Sequence, residues 1–256
     1  MRGPGAAAYL ERMLSNAVEE LPPGESCEAL LLTAKARVIA TMTVCRRSLE
    51  DFLLLTEPEL GLVLRNALVR ARLAANCAIE LEEHRSTLVL GDPDRVFSDQ
   101  EVAVRSRDYG VPAVEIIDEE PPDGEPIEQD ELERLRILAR TPRFGREIDD
   151  RVLPAEAGLD QRAISFTKGC YPGQEPVARL HYRGHANRTL RVLALDGGEL
   201  PAYDDELSLD GKVVGRVTSA ARDPEHGIVA LAYVRREVPA DGELDLAVGR
   251  ARQIVS

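Results

Sequence analysis

The chain has 256 residues, 44% of them apolar, enough for two domains with their own cores at the usual span of about 100 to 200 residues each. A formal net charge of −13 argues against direct binding to a nucleic-acid backbone, and no apolar run approaches the roughly 18 residues of a membrane span. The start lacks the charged, apolar and small-residue order of a signal peptide. The four cysteines, at 27, 45, 77 and 170, form no CxxC pair and no zinc spacing, so the expectation is a soluble cytoplasmic protein with reduced thiols and no metal site.

Residues 6–21 place Leu10, Met13, Leu14, Ala17, Val18 and Leu21 at helical spacing and stop at Pro22-Pro23-Gly24, which predicts one amphipathic helix. Residues 29–32, 38–45 and 52–55 read as strands. Thr56 is expected to cap a helix running through Pro58 to about Leu73, and residues 78–81 and 87–90 to continue the sheet. Pro121-Pro122-Asp123-Gly124 reads as a surface connection before a second helix near residues 130–139. Together these predict an α+β region with a largely antiparallel sheet. From residue 188 onward the pattern is short strands, at 190–195, 206–209, 212–218, 228–234 and 244–248, with Asp210-Gly211 as a hairpin turn. The expected division is therefore an α+β region over 1–187 and a small β-barrel or sandwich over 188–256.

The segment Lys168-Gly169-Cys170-Tyr171-Pro172-Gly173-Gln174-Glu175 carries the densest chemistry in the chain. Two glycines bracket the thiol, as in a tight loop that presents it. Lys168 and Arg179 supply cations that would favour the thiolate, the nucleophilic form. The other reading of a lone cysteine is a small buried hydrophobe, and that is the expectation for Cys27, Cys45 and Cys77. Gln174 and Glu175 stand where a helix can start after Gly173, with Pro176 in its first turn; the acid either relieves the helix dipole or holds a ligand. His181 and His185 are four apart and could share a helical face, but no further ligand stands at metal spacing. A Cys-His hydrolase built on Cys170 and His181 lacks an oxyanion-hole signature and a third partner. Over residues 168–191, five Lys/Arg face one acid.

With Val177-Ala178-Arg179 after it, the thiol loop resembles the signature of the YgfZ-type folate-binding proteins, relatives of the glycine-cleavage T-protein, a tetrahydrofolate-dependent aminomethyltransferase. The resemblance runs back through Pro142-Arg143-Phe144-Gly145, Glu147-Ile148-Asp149, Leu153-Pro154-Ala155-Glu156-Ala157-Gly158-Leu159 and Ile164-Ser165-Phe166, and forward through Tyr182-Arg183-Gly184. Upstream, residues 29–38 look like the family's second-strand region. The similarity extends over nearly the whole chain, and its motif section spans about residues 136 to 191.

That resemblance implies a T-protein-like arrangement of α+β modules around a central pocket, with a small C-terminal β-barrel and with tetrahydrofolate in the pocket. Glu156 matches the carboxylate that hydrogen-bonds the pterin ring; a carboxylate accepting two N–H bonds from a flat aminopyrimidine fixes orientation as well as affinity. Phe144 lies near the position of an aromatic set against the ligand, or else belongs to the core. Tyr171, Gln174 and Glu175 accompany it in the folate-binding set, while Cys170 and Lys168 form the reactive pair. Arg179 pairs either with the folate glutamate tail or with Glu175.

The departures from the family pattern shape the functional expectation. An acidic pair in the family's early strand, one member of which is essential for aminomethyl transfer, is matched here by Ala40 and Thr41, so aminomethyltransferase activity is not expected. Leu138 and Arg140 stand where an acid and a glycine are usual, and Ala36 also replaces a glycine. Met1-Arg2-Gly3-Pro4-Gly5 resembles the end of the family's first strand, which implies either an upstream start or a reduced N-terminal module. The leading expectation is a folate-binding accessory protein that supports assembly or repair of iron–sulfur clusters, with iron–sulfur enzymes or cluster-assembly proteins as transient partners. Its alternatives are a folate-dependent aminomethyltransferase or other one-carbon transferase, and a factor associated with tRNA modification.

Overall fold

Strand β2, Val38–Ser48, shows how the first sheet forms: Val38, Ala40, Met42 and Val44 are buried while the residues between them are not, the alternation of a sheet covered on one face. It pairs antiparallel with β1 (Ser26–Leu32), with Leu30 opposite Thr41 and Leu31 opposite Ala40, and with β3 (Asp51–Leu55). The computed structural model describes residues 1–91, 102–118 and 124–254, so Pro121, Pro122 and Asp123 lie outside the described residues. These fall into two compact units: Met1–Arg105 with Val114–Pro121 and Ile148–His185, and Ser106–Ala113 with Pro122–Glu147 and Ala186–Ser256.

In the first unit, helix α1 spans Ala6–Met13, well short of the predicted end at residue 21. The apolar spacing continues, but hydrogen bonding does not follow it. Leu14 turns extended and bridges Leu31, Ser15 exchanges bonds with Leu30, and the Glu11 carboxylate accepts the N–H groups of Val18 and Glu19 at 2.7 and 3.0 Å. Leu14 and Val18 are therefore buried outside any helix. A single 3-10 turn, Pro58–Leu60, leads into helix α2, Gly61–Ala71. Thr56 does not cap it; its hydroxyl donates to the carbonyl of Thr41 at 2.7 Å.

Residues 78–81 form no strand: only Ala78 pairs, with Arg2. The expected continuation at 87–90 is strand β4 (Ser86–Leu90), but it belongs to a second sheet with β5 (Val102–Ser106) and β6 (Ala113–Ile117), in the order β4-β6-β5. Sequence reading missed β5 and β6, each five residues long and broken by charge. Val104 and Ile117 pack with Cys45 and Leu53 of the first sheet.

In the second unit, helix α3 (Gln129–Leu138) matches its predicted span. Strands β7 (Arg188–Leu195), β8 (Glu206–Leu209), β9 (Lys212–Asp223), β10 (Gly227–Arg235), β11 (Leu244–Leu246) and β12 (Gly249–Gln253) close into a barrel in the order β10-β7-β12-β11-β8-β9. The strand expected at 244–248 is thus β11 and the turn after it, and β12 lies beyond that range. Leu193, Leu195, Leu207, Val217, Ile228 and Leu244 fill the interior.

Helix α3 packs on β9 and β10 through a buried polar network. Arg136, its side chain 7% exposed, donates to the fully buried Glu147 carboxylate at 3.1 Å, to Ser219 Oγ at 2.8 Å and to the Thr141 carbonyl at 2.6 Å. Ser219 in turn donates to the other Glu147 oxygen at 2.7 Å. Removing one partner strands a charge in the interior. Arg136→Met or Glu147→Ala should therefore cost about 3–5 kcal/mol, read from the urea midpoint, whereas Glu131→Ala on the more exposed α3 pair should cost about 1 kcal/mol or less.

Candidate functional site

The thiol loop is held from both ends. At one end the Lys168 ammonium, on a side chain 2% exposed, donates to the carbonyls of Glu11, Leu14 and Asn16 at 2.5, 2.8 and 2.9 Å and lies 3.4 Å from the Glu11 carboxylate. Glu11 lies in the last turn of α1 and Leu14 and Asn16 just beyond it, where the helix leaves acceptors without internal donors. Burial pushes the Lys168 ammonium below its usual pKa, against the pull of Glu11. Burial likewise disfavours the ionised Glu11, but the N–H groups of Val18 and Glu19, together with Lys168, outweigh it and hold that carboxyl below its usual range.

At the other end Gly173 caps helix α4, Gln174–Arg183, with a left-handed φ of 83°. A Cβ there would sit 2.5 Å from the Thr33 carbonyl oxygen and 3.1 Å from Ala36 Cα, so glycine is required by both backbone angle and space. The β1–β2 turn it touches is tight: Thr33 and Arg37 pair at 2.9 Å, and Ala36 is left-handed at φ 59°. The usual glycine that the sequence replaces at Ala36 thus corresponds to a backbone angle that glycine adopts freely. Arg140, the other such position, is left-handed as well, at φ 56°.

Between these anchors Cys170 is exposed. The other thiols differ: burial pushes Cys27 up to about 11 and Cys45 up to about 12, and raises Cys77. Tyr171 is buried, its hydroxyl pushed up to about 12 by burial, with the Lys168 ammonium 5.4 Å from its ring centre. Gln174 reaches back to the Gly169 carbonyl at 3.5 Å. Glu175 and Arg179 are exposed on α4, and no ion pair joins them among the described residues.

Glu156 closes a buried 3-10 turn, Pro154–Glu156, against which α4 packs. Its carboxylate accepts the Leu153 N–H at 3.0 Å, which fixes the side chain within its own turn. The structure thereby brings Glu156, Lys168, Cys170, Tyr171, Gln174, Glu175 and Arg179 into one unit; Phe144, half-buried, belongs to the other. His181 and His185 do not share a helical face, because α4 ends at Arg183. His181 instead stacks on Phe166, with ring centres 3.9 Å apart. Among the described residues no three His, Cys, Asp or Glu side chains are grouped to hold a metal ion.

Sequence reasoning missed Glu57. Ala40 is buried and Thr41 carries no charge, but the Thr41 hydroxyl donates to the Glu57 carboxylate at 3.1 Å, so a carboxylate stands beside the strand position. A partner 16 residues away leaves no motif to read.

No family model matches the chain. Over 115 residues it is 38% identical to the tRNA-modifying protein YgfZ of Edwardsiella ictaluri, a match covering 43% of this chain and 35% of that protein. It is 36% identical over 110 residues to an aminomethyltransferase of Nostoc, covering 43% of this chain and 29% of that protein. The matches therefore span about a third of those relatives' length. In three dimensions the whole chain superposes on 81% of the glycine cleavage system aminomethyltransferase T from Bartonella henselae, with a TM-score of 0.84 at 19% identity. Over the matched residues the chain is thus similar to YgfZ and to aminomethyltransferases, and its fold is that of the glycine cleavage aminomethyltransferase T.

Proposed function

We propose that the chain is a tetrahydrofolate-binding accessory protein of the YgfZ type, serving iron–sulfur enzymes or their assembly proteins in the cytoplasm, with Cys170 as its working thiol. One observation carries the reading: a buried, pre-oriented carboxylate, Glu156, packs through its turn against the helix that the exposed-thiol loop begins. Glu156 suits the N–H edge of an aminopyrimidine, because its turn holds it in place before ligand arrives. Arg179, exposed on α4, is free to meet the carboxylates of a glutamate tail. The folate region falls within residues 1–187 in this reading, and no helix among the described residues is long and apolar enough to cross a membrane.

Lys168 works here as a positioning residue. Its ammonium locks the loop to residues 11–16, so that Cys170 is presented without the loop folding over it.

Calorimetry with tetrahydrofolate tests the ligand. Wild type should bind, and Glu156→Ala should lose about tenfold to a hundredfold in affinity, the range of a hydrogen bond to a charged group. A wild type that binds no folate would remove the reading. For the thiol, Cys170→Ala should fold normally and keep its folate affinity, yet fail to rescue a cell lacking iron–sulfur enzyme activity; normal rescue would exclude the thiol's role.

A second reading, a folate-dependent aminomethyltransferase, is favoured by Glu57 beside Thr41. If it holds, a lipoyl-carried aminomethyl substrate is turned over with tetrahydrofolate and Glu57→Gln abolishes turnover; a folate-saturated wild type without turnover rejects it.

A further inference from the structure

Helix α2 buries one face and leaves the opposite one bare. Leu60, Leu64 and Leu68 turn into the core of the first unit, each less than a twentieth exposed. On the far side, with 3.6 residues per turn, Leu62, Asn66 and Val69 fall on one stripe, and Leu73 continues the same spacing just past the helix end. Leu62 is 57% exposed, Val69 38% and Leu73 96%, with Val63 bare at the rim.

Two further observations make this more than scattered surface apolar residues. First, every charged residue of α2 is a cation. Arg65 flanks one side and Arg70 the other, Arg72 beyond the helix donates to the Cys77 carbonyl at 2.9 Å, and residues 60–79 hold no acid in a chain of net charge −13. Second, Leu73 sits left-handed at φ 47°, directly after the last helical cap residue, where glycine would be unstrained. A leucine there strains the backbone and gains no burial in return. Strain kept at an exposed position points to use by something outside the chain.

We propose that this face of α2 docks an acidic amphipathic helix of a partner protein. The spacing 62, 66, 69, 73 alternates steps of four, three and four, the seam that packs one helix along another. Arginines on both rims of the seam match carboxylates on both rims of the partner's apolar stripe. Asn66 within the seam is common at helix–helix contacts and unfavourable in lipid. The bare helix is about 17 Å long at 1.5 Å per residue, the length of about three turns of a partner. The proposal stands apart from the folate reading, since it uses neither Glu156 nor Cys170.

The test is fluorescence anisotropy with two labelled synthetic peptides of one composition. In one, leucines follow the seam and glutamates flank it; in the other the same residues are scrambled. The first should bind saturably and more weakly as salt rises, and Val69→Asp or Arg70→Glu should each weaken it about tenfold or more. Leu73→Gly should raise the chain's own thermal midpoint while weakening the peptide several-fold, opposite shifts that a purely structural role would not produce. Equal binding of the scrambled peptide, or unchanged affinity in Val69→Asp, would overturn the proposal. So would binding to phosphatidylserine vesicles in place of the peptide, which assigns the face to membrane. A concentration-dependent dimer abolished by Val69→Asp would overturn it too, assigning the face to a second copy.

Discussion

One buried ammonium joins stretches of chain 152 to 157 residues apart. Lys168 closes on the carbonyls of Glu11, Leu14 and Asn16, and the thiol loop and α4 take their place from that closure. An ammonium inside a protein is costly unless its donors are used, and here three carbonyls and a carboxylate receive it. The same short segment serves other partners. Ser15 bonds Leu30 of β1 and Ala163 and Ser165 ahead of the loop, so helix α1 must stop at Met13 for any of this to form.

Gly173 sets the second constraint. The thiol loop approaches the β1–β2 turn so closely that only glycine fits, which ties the loop's position to residues far earlier in the chain. The anchors and the presented group are therefore different residues. Lys168 and Tyr171 are buried and fixed, while Cys170 between them stays exposed, unlike the buried thiols Cys45 and Cys77. Glu156 gains its orientation in the same way, from a backbone N–H of its own turn. The barrel unit is organised by other means, with Arg136, Glu147 and Ser219 satisfying one another beneath α3.

Much of this was legible in the residues because it depends on local chemistry. Short alternating runs and the Asp210-Gly211 turn announced a barrel, and the glycine-flanked thiol with Pro176 behind it announced a loop entering a helix. The failures share a cause. Helix α1 was read too long because apolar spacing reports burial, and Leu14 and Val18 are buried by bridging and turn contacts instead. Residues 78–81 were read as a strand because they are apolar at intervals, whereas only Ala78 finds a pairing partner. Thr56 looked like a cap, but a nearer acceptor, the Thr41 carbonyl, took its hydroxyl.

The amino-acid sequence by itself determined which chemical groups are available and where the backbone can turn: the exposed-loop cysteine, the carboxylate after Leu153-Pro154-Ala155, and the glycine that permits α4 to begin. These are properties of a residue and its immediate neighbours. Only the tertiary structure decided what Lys168 holds, why Gly173 admits no side chain, that Glu57 stands beside Thr41, and which face of α2 is left bare. Each of those depends on a partner brought close by folding, across separations that local spacing does not encode.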